Sequence, residues 1–198
     1  MAAGAWLKEC ARVVAAERER LTGLDAAIGD ADHGANLDRG FQAIVAELDL
    51  GDEAEPGAQL VAAGSLLIRR VGGASGPLYG SALRSMGKAL SQGADLSTAL
   101  EQAVEAVEKL GKAVEGDKTM VDALRPAANA MALAVQEGIG VREALDRAAR
   151  AAEEGAAATT PMRARKGRAS YLGERSEGHR DPGATSAALL IRALAATW

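Results

Sequence analysis

Apolar residues recur at helical spacing along nearly the whole chain, and no stretch shows the period-two alternation of a half-buried strand. Trp6, Leu7, Cys10, Val13, Val14 and Leu21 mark a first helix from Trp6 to Leu21, ended by Thr22 and Gly23. Leu37, Phe41, Ile44, Val45 and Leu48 place a second from Asn36, its cap, to Leu48. Gly51 to Gly57 reads as a polar turn, and a third helix follows over residues 58–71. Others are expected over about 81–90, 95–114 (capped by Asp95 or Ser97), 120–135, 141–154 and 184–194. Pro126 falls inside the sixth and either kinks it or marks a later start. Aromatic residues are only 3% of the 198, so the core must be built from alanine, aliphatic side chains and methionine. Alanine has the highest helix propensity and lets helices approach closely. About eight helices on short links favour antiparallel neighbours, hence an all-α closed bundle forming a single domain over residues 1–198.

The formal net charge of -4 gives no global attraction to nucleic acid or anionic membrane. Cys10 is the single cysteine, which excludes an internal disulfide framework, and its apolar neighbours make it a buried small hydrophobe. No signal-peptide core precedes Glu9, and no run nears eighteen uninterrupted apolar residues. The expected location is the cytoplasm.

Against this apolar background stands GDADHGANLDRGF, Gly29 to Phe41, with Asp25 just upstream. Carboxylates as dense as Asp25, Asp30 and Asp32 repel one another unless a cation or hydrogen-bond donors answer them. Hard divalent ions such as Mg2+ take oxygen ligands, often completed by substrate phosphate. Gly29 and Gly34 bracket the acidic residues and would permit a sharp turn. A second unusual stretch, Gly72 to Gly80, is too glycine-rich for ordinary helix. It offers small side chains, the Ser75 hydroxyl and backbone N–H groups, and reads either as an anion cradle or as a helix connection opened by Pro77. Gly116-Asp117-Lys118-Thr119-Met120 forms a third break. Met162 to Arg180 carries Arg163, Arg165, Lys166, Arg168, Arg175 and Arg180 against Glu174 and Glu177. In an up-and-down bundle every second connection lies at the same end, so these four loops can meet. Carboxylates for Mg2+, small-residue turns for phosphate and arginines for charge neutralisation make a phosphoryl-transfer inventory. There is no GxxxxGK[ST] or HExxH motif, and the acidic stretch does not continue as an EF-hand loop. Two histidines and one cysteine cannot complete a typical four-ligand zinc site by themselves.

These blocks, Asp25 with IGDADHGANLDRGF, GGASGPLYG, GDKTMVDAL and the terminal MRARKGRASYLGERSEGHRDPGATS, resemble the ADP-binding L-subunit family of bacterial dihydroxyacetone kinases over nearly the whole chain. The resemblance implies a barrel of eight antiparallel helices with the nucleotide-binding loops at one end. It implies that Asp25, Asp30 and Asp32 hold two Mg2+ ions on the phosphates of ADP or ATP, and that with Arg168 they carry the transfer chemistry. His33, Asn36 and Arg39 lie in the matching nucleotide block, Ser75 and Gly76 in the phosphate-contacting turn, Gly116 and Met120 near the nucleotide. Arg168 and Asp181, Pro182 and Gly183 belong to the closing segment. Ala31 stands where many relatives carry glycine. The family further implies a phosphohistidine-carrying M subunit as donor and a K subunit that holds dihydroxyacetone through its own histidine. A related ketose kinase, for instance for erythrulose, and a non-catalytic nucleotide-sensing module are the alternatives. Residues 162–180 are expected to form a structureless lid that orders over Mg–ADP, since loops beyond about 12–15 residues usually need a functional or disorder explanation. Neither nucleic acid nor membrane insertion is expected.

Overall fold

The computed structural model describes residues 3–51 and 54–198. Of the expected polar turn, Asp52 and Glu53 lie outside the described residues. Among the described residues there are eight α-helices, a 3-10 helix and no strand. The α-helices are α1 Ala3–Ile28, α2 His33–Glu47, α3 Pro56–Arg70, α4 Ser75–Ser91, α5 Leu96–Gly111, α6 Val121–Gln136, α7 Val141–Ala158 and α8 Pro182–Thr197, with the 3-10 helix at Arg168–Ser176. None of these helices is long and apolar enough to cross a membrane.

Several boundaries differ from the sequence expectation, each for a local reason. Helix α1 does not end at Thr22 and Gly23 but runs on to Ile28, because Leu21, Asp25 and Ile28 continue its buried face. Helix α2 starts at His33 rather than Asn36, and Asp32 holds the cap position. Helix α3 starts at Pro56, behind Glu55, whose carboxylate accepts from the N–H of Gly57 and Ala58. The glycine-rich stretch is helical from Ser75, with Pro77 in the first turn, where its missing N–H is not needed. Asp95 caps α5 by accepting from the Thr98 N–H, and α5 stops at Gly111. Pro126 lies inside α6. A Cβ on Gly155 would press against the Asp122 carbonyl, the acceptor that a residue with an N–H at position 126 would have used. Helix α7 extends to Ala158, and α8 spans Pro182–Thr197 behind Asp181, which accepts from the Ala184 N–H.

Each α-helix packs on its successor, and α8 packs back on α1, so the helix contacts close into a ring. Neighbours run antiparallel. Gly64 faces Gly80 and Gly57 faces Gly87 across α3 and α4, while Arg142 reaches Trp198 and Arg180 reaches Glu153 across α7 and α8. The interior is alanine with Leu, Val, Ile and Met, joined by Trp6, Phe41 and Tyr79. Cys10 is buried there, and desolvation pushes its thiol pKa well up, as expected of an inert core residue.

The α3–α4 contact depends on missing side chains. A Cβ on Gly64 would sit 2.5 Å from the Gly80 carbonyl oxygen and 2.8 Å from Arg84 Cγ. Gly23, also inside a helix, has nothing within 4 Å of its Cβ position. The same substitution should therefore act in opposite senses. Gly64→Ala should destabilise by about 1–3 kcal/mol by forcing two helices apart. Gly23→Ala should stabilise by about 0.5–1 kcal/mol through helix propensity. Urea unfolding of the two variants checks the pair, and equal shifts would contradict the packing.

Candidate functional site

Because helices alternate in direction, the α1–α2, α3–α4, α5–α6 and α7–α8 connections gather at one end of the ring. They surround a cavity of about 280 Å3. Its wall takes in Asp25, Asp30, Asp32 and His33, Gly73 to Ser75, Lys118 to Val121, Lys166 to Ala169, and Asp181 to Gly183. Helices α2, α4, α6 and α8 all begin at this wall. Four helix starts meet at one space, alongside the ends of α1 and α5 at Ile28 and Gly111, and the positive ends of their dipoles favour an anion.

The acidic loop is organised by Asp25 at the end of α1. Its Oδ2 accepts from the backbone N–H of Asp32 at 2.8 Å and of His33 at 3.1 Å, which fixes the start of α2. Gly29 and Gly34 serve close approach rather than a left-handed turn. A Cβ on Gly29 would strike the Asp25 carboxylate, and one on Gly34 would strike the Arg18 carbonyl and Thr22. The left-handed residue is Ala31, at φ +60°. One carboxylate oxygen from each of Asp25, Asp30 and Asp32 lies within 4.8 Å of the others. Asp32 makes no side-chain cap bond, so its carboxylate is not spent on the helix, and Asp30 meets the Arg168 guanidinium at 3.0 Å. Three clustered hard oxygen donors, two of them exposed, fit a divalent cation.

His33 ties three helices together. Its Nδ1 lies 3.0 Å from Ser75 Oγ on α4, and its Nε2 lies 2.8 Å from Ser186 Oγ on α8. Ser186 Oγ is in turn 2.6 Å from the Tyr79 hydroxyl. Burial draws the His33 pKa below its usual value, against the pull of Asp25 and Asp32, so the ring is neutral at neutral pH. With both ring nitrogens engaged by hydroxyls, His33 positions Ser75 at the wall.

Ten of the residues singled out in the sequence reach the cavity: Asp25, Asp30, Asp32, His33, Ser75, Met120, Arg168, Asp181, Pro182 and Gly183. Four do not. Asn36 does not cap α2; its Oδ1 accepts from Arg39 Nη2 at 2.8 Å. Arg39 also donates to the Arg70 carbonyl, so it braces α2 against the end of α3. A Cβ on Gly76 would strike the Val71 carbonyl, so the start of α4 requires glycine there. Gly116, at φ +94°, donates its N–H to Asp122 Oδ1 at 2.6 Å, and the same carboxylate accepts from Thr119 N–H at 2.7 Å. It shapes the α5–α6 loop from behind the wall. Lys118, Tyr79, Ser186 and Lys166 were not singled out. All four lay within the quoted blocks, and Lys166 was counted in the basic segment, but their roles depend on partners distant along the chain.

The segment expected to be structureless has an internal framework. It contains the 3-10 helix Arg168–Ser176, interrupted at Gly173, and Ala164 and Ala169 pack with Leu172 on Ile28. Arg163 pairs with Glu174 and Glu177, and Arg180 with Glu153.

A helical ring presenting three acidic oxygens and four helix N-termini to one cavity defines a site for a phosphorylated ligand with a divalent cation. The DAK2 domain matches residues 27–196, and the chain belongs to that family. It is 43% identical to the ADP-binding subunit DhaL of the PEP-dependent dihydroxyacetone kinase of Escherichia coli, over 96% of this chain and 93% of that one. It is 40% identical to the ADP-binding subunit DhaL of PEP-dependent dihydroxyacetone kinase 1 of Listeria innocua, over 97% and 93% of the two chains. The fold is similar to the dihydroxyacetone kinase of C. freundii in complex with AMP-PNP and Mg2+, with a TM-score of 0.76 and 29% identity. That match covers 100% of this chain and 34% of the C. freundii chain.

Ala31→Gly should stabilise by about 1 kcal/mol, because only glycine adopts the left-handed region without steric cost; a lowered thermal midpoint would contradict the loop conformation. Burial raises the Asp181 pKa from 3.8 to about 7, with Asp122 and Asp25 adding to the rise and the Ala184 N–H and Lys118 opposing it. The folded state therefore holds a proton that the unfolded state releases. This contribution to stability is full below pH 3.8 and falls as pH rises towards about 7. Asp181→Asn keeps the cap but cannot ionise. Urea titrations across this range should show the wild type losing stability relative to the variant, and parallel curves would refute the shift.

Proposed function

We propose that this chain is the ADP-carrying subunit of a dihydroxyacetone kinase. The observation that carries the reading is the meeting of the Asp25–Asp30–Asp32 oxygens with the N-termini of α2, α4, α6 and α8 at one cavity. Cation ligands alone would suit many proteins; beside four anion-favouring helix ends they suit a metal–polyphosphate. Its relatives' names supply the nucleotide and the reaction.

In this reading Asp25, Asp30 and Asp32 hold Mg2+, two ions, against the diphosphate. Asp25 is preset by its two backbone donors, so the loop need not reorganise when cation arrives. Ser75, steadied by His33, and Arg168 present donors to phosphate oxygens; a guanidinium offers a planar fork suited to them. Met120 and the apolar wall from Val107 and Leu78 take the less polar part of the nucleotide. Bound Mg–ADP supplies the phosphoryl relay, between the phosphohistidine of an M subunit and dihydroxyacetone held on a K subunit. The cavity's enclosure by the closing segment limits water at the transferring group. The choice of ketose lies with the K subunit, and the reaction belongs to the cytoplasm.

Asp30→Asn and Asp32→Asn each remove one formal negative charge from the cation site with little change of shape. Titration calorimetry with ADP and Mg2+ should show affinity falling at least about tenfold, the equivalent of about 1.4 kcal/mol, in both variants. Unchanged affinity in both would remove the triad from the site.

A further inference from the structure

Lys118 sits in the α5–α6 loop at φ +61°, a conformation that favours glycine or asparagine, yet it carries a long cationic side chain that is 1% exposed. Its ammonium is surrounded by four backbone carbonyls: His179 at 2.5 Å, Ser176 at 2.6 Å, Met162 at 3.0 Å and Thr160 at 3.4 Å. Thr160 and Met162 belong to the outgoing limb of the closing segment, Ser176 and His179 to the returning limb. The ammonium therefore occupies the neck of the loop whose middle, Lys166 to Ala169, walls the cavity. The Arg165 N–H donating to the Asp117 carbonyl at 3.1 Å ties the same neck to the α5–α6 loop. Buried carbonyls brought together without a donor repel one another and lose their water. Asp181 and Glu177 favour the charged form against the burial that lowers the Lys118 pKa.

We infer that Lys118 acts as a tethered cation that closes the neck of the wall before nucleotide arrives, and that opening this carbonyl cage sets the rate of nucleotide release. Lys118 is thus a positioning residue, acting on the ligand through Lys166 and Arg168. The inference rests on the nucleotide reading above, and it reverses the expectation of a lid ordered by nucleotide: every contact in the cage comes from the chain itself.

Lys118→Ala removes the cation and leaves space for the fragment it deletes, n-propylammonium. Stopped-flow chase of labelled Mg–ADP should show release from the variant faster by about tenfold or more, as the loss of charge-assisted bonds implies. Added n-propylammonium should restore slow release, while neutral 1-propanol should not. A merely loosened loop would not distinguish the two additives. Release at the wild-type rate, or equal effects of amine and alcohol, overturns the inference. Amide exchange without nucleotide gives a separate reading. Residues 160–179 should be protected in the wild type, exposed in Lys118→Ala, and protected again by the amine. Lack of protection in nucleotide-free wild type overturns the inference, as does loss of the variant's helical circular dichroism, which would make Lys118 a folding residue. A wild-type chain that binds no Mg–ADP would instead overturn the nucleotide reading, leaving the exchange measurement to decide the cage.

Discussion

A carboxylate withdrawn from water must find donors, and Asp25 finds them in the N–H groups of the cap residue Asp32 and of His33, the first residue of α2. That interaction joins the end of α1 to the start of α2, takes up the N–H groups of Asp32 and His33, and leaves Asp30 and Asp32 on a short loop at the cavity edge. The clustering of negative charge follows from this geometry. Its repulsion is offset within the chain by Arg168, and by the positive helix ends opposite.

The alanine core makes such an end possible. Small side chains on α3, α4, α6, α7 and α8 let helices pack closely, and the cavity lies where loops replace packed side chains. Antiparallel order then brings four helix starts and four helix ends to the same rim. The anion preference of the cavity comes from which groups face it: the starts of α2, α4, α6 and α8 line its wall together with Lys166 and Arg168.

Local signals made the helix count, the all-α class, the Asp95 cap and the acidic triad legible in the sequence, because each depends on neighbours within a few residues. The readings that failed depended on long-range contacts. Asn36 looked like a cap, but the donors at the start of α2 were already claimed by Asp25, so the helix could begin at His33. Gly76 was read as part of a phosphate cradle; the fold adds a second reason for its missing Cβ, the close Val71 carbonyl. His33 was placed in the nucleotide block, but its partners Ser75 and Ser186, 42 and 153 residues away, could not be seen in the sequence. The role of Lys118 was hidden for the same reason, since four acceptors on a later loop define it. The basic segment read as unstructured because its order comes from that cage and from Ile28, not from a periodic pattern of its own.

Local backbone rules break where the site is. Ala31, Lys112 and Lys118 are the positive-φ residues other than glycine among the described residues, and all three lie in loops at the cavity end. Buried polar side chains follow the same division: Asp25, His33, Asp117, Lys118, Asp122, Thr159, Ser176, Asp181 and Ser186 gather there, whereas Gln59 stands apart in α3. Strained or desolvated groups persist only where surrounding structure holds them in place. The alanine packing supplies that hold from below, while the hydrogen bonds of Asp25, Asp122 and Lys118 distribute it among the loops. Stability and binding are in this way assigned to opposite ends of the same helices. A charge fixed at the loop end is kept from relaxing by helices whose packing never touches it, and that fixity is what preorganises the cavity for a metal and a phosphate.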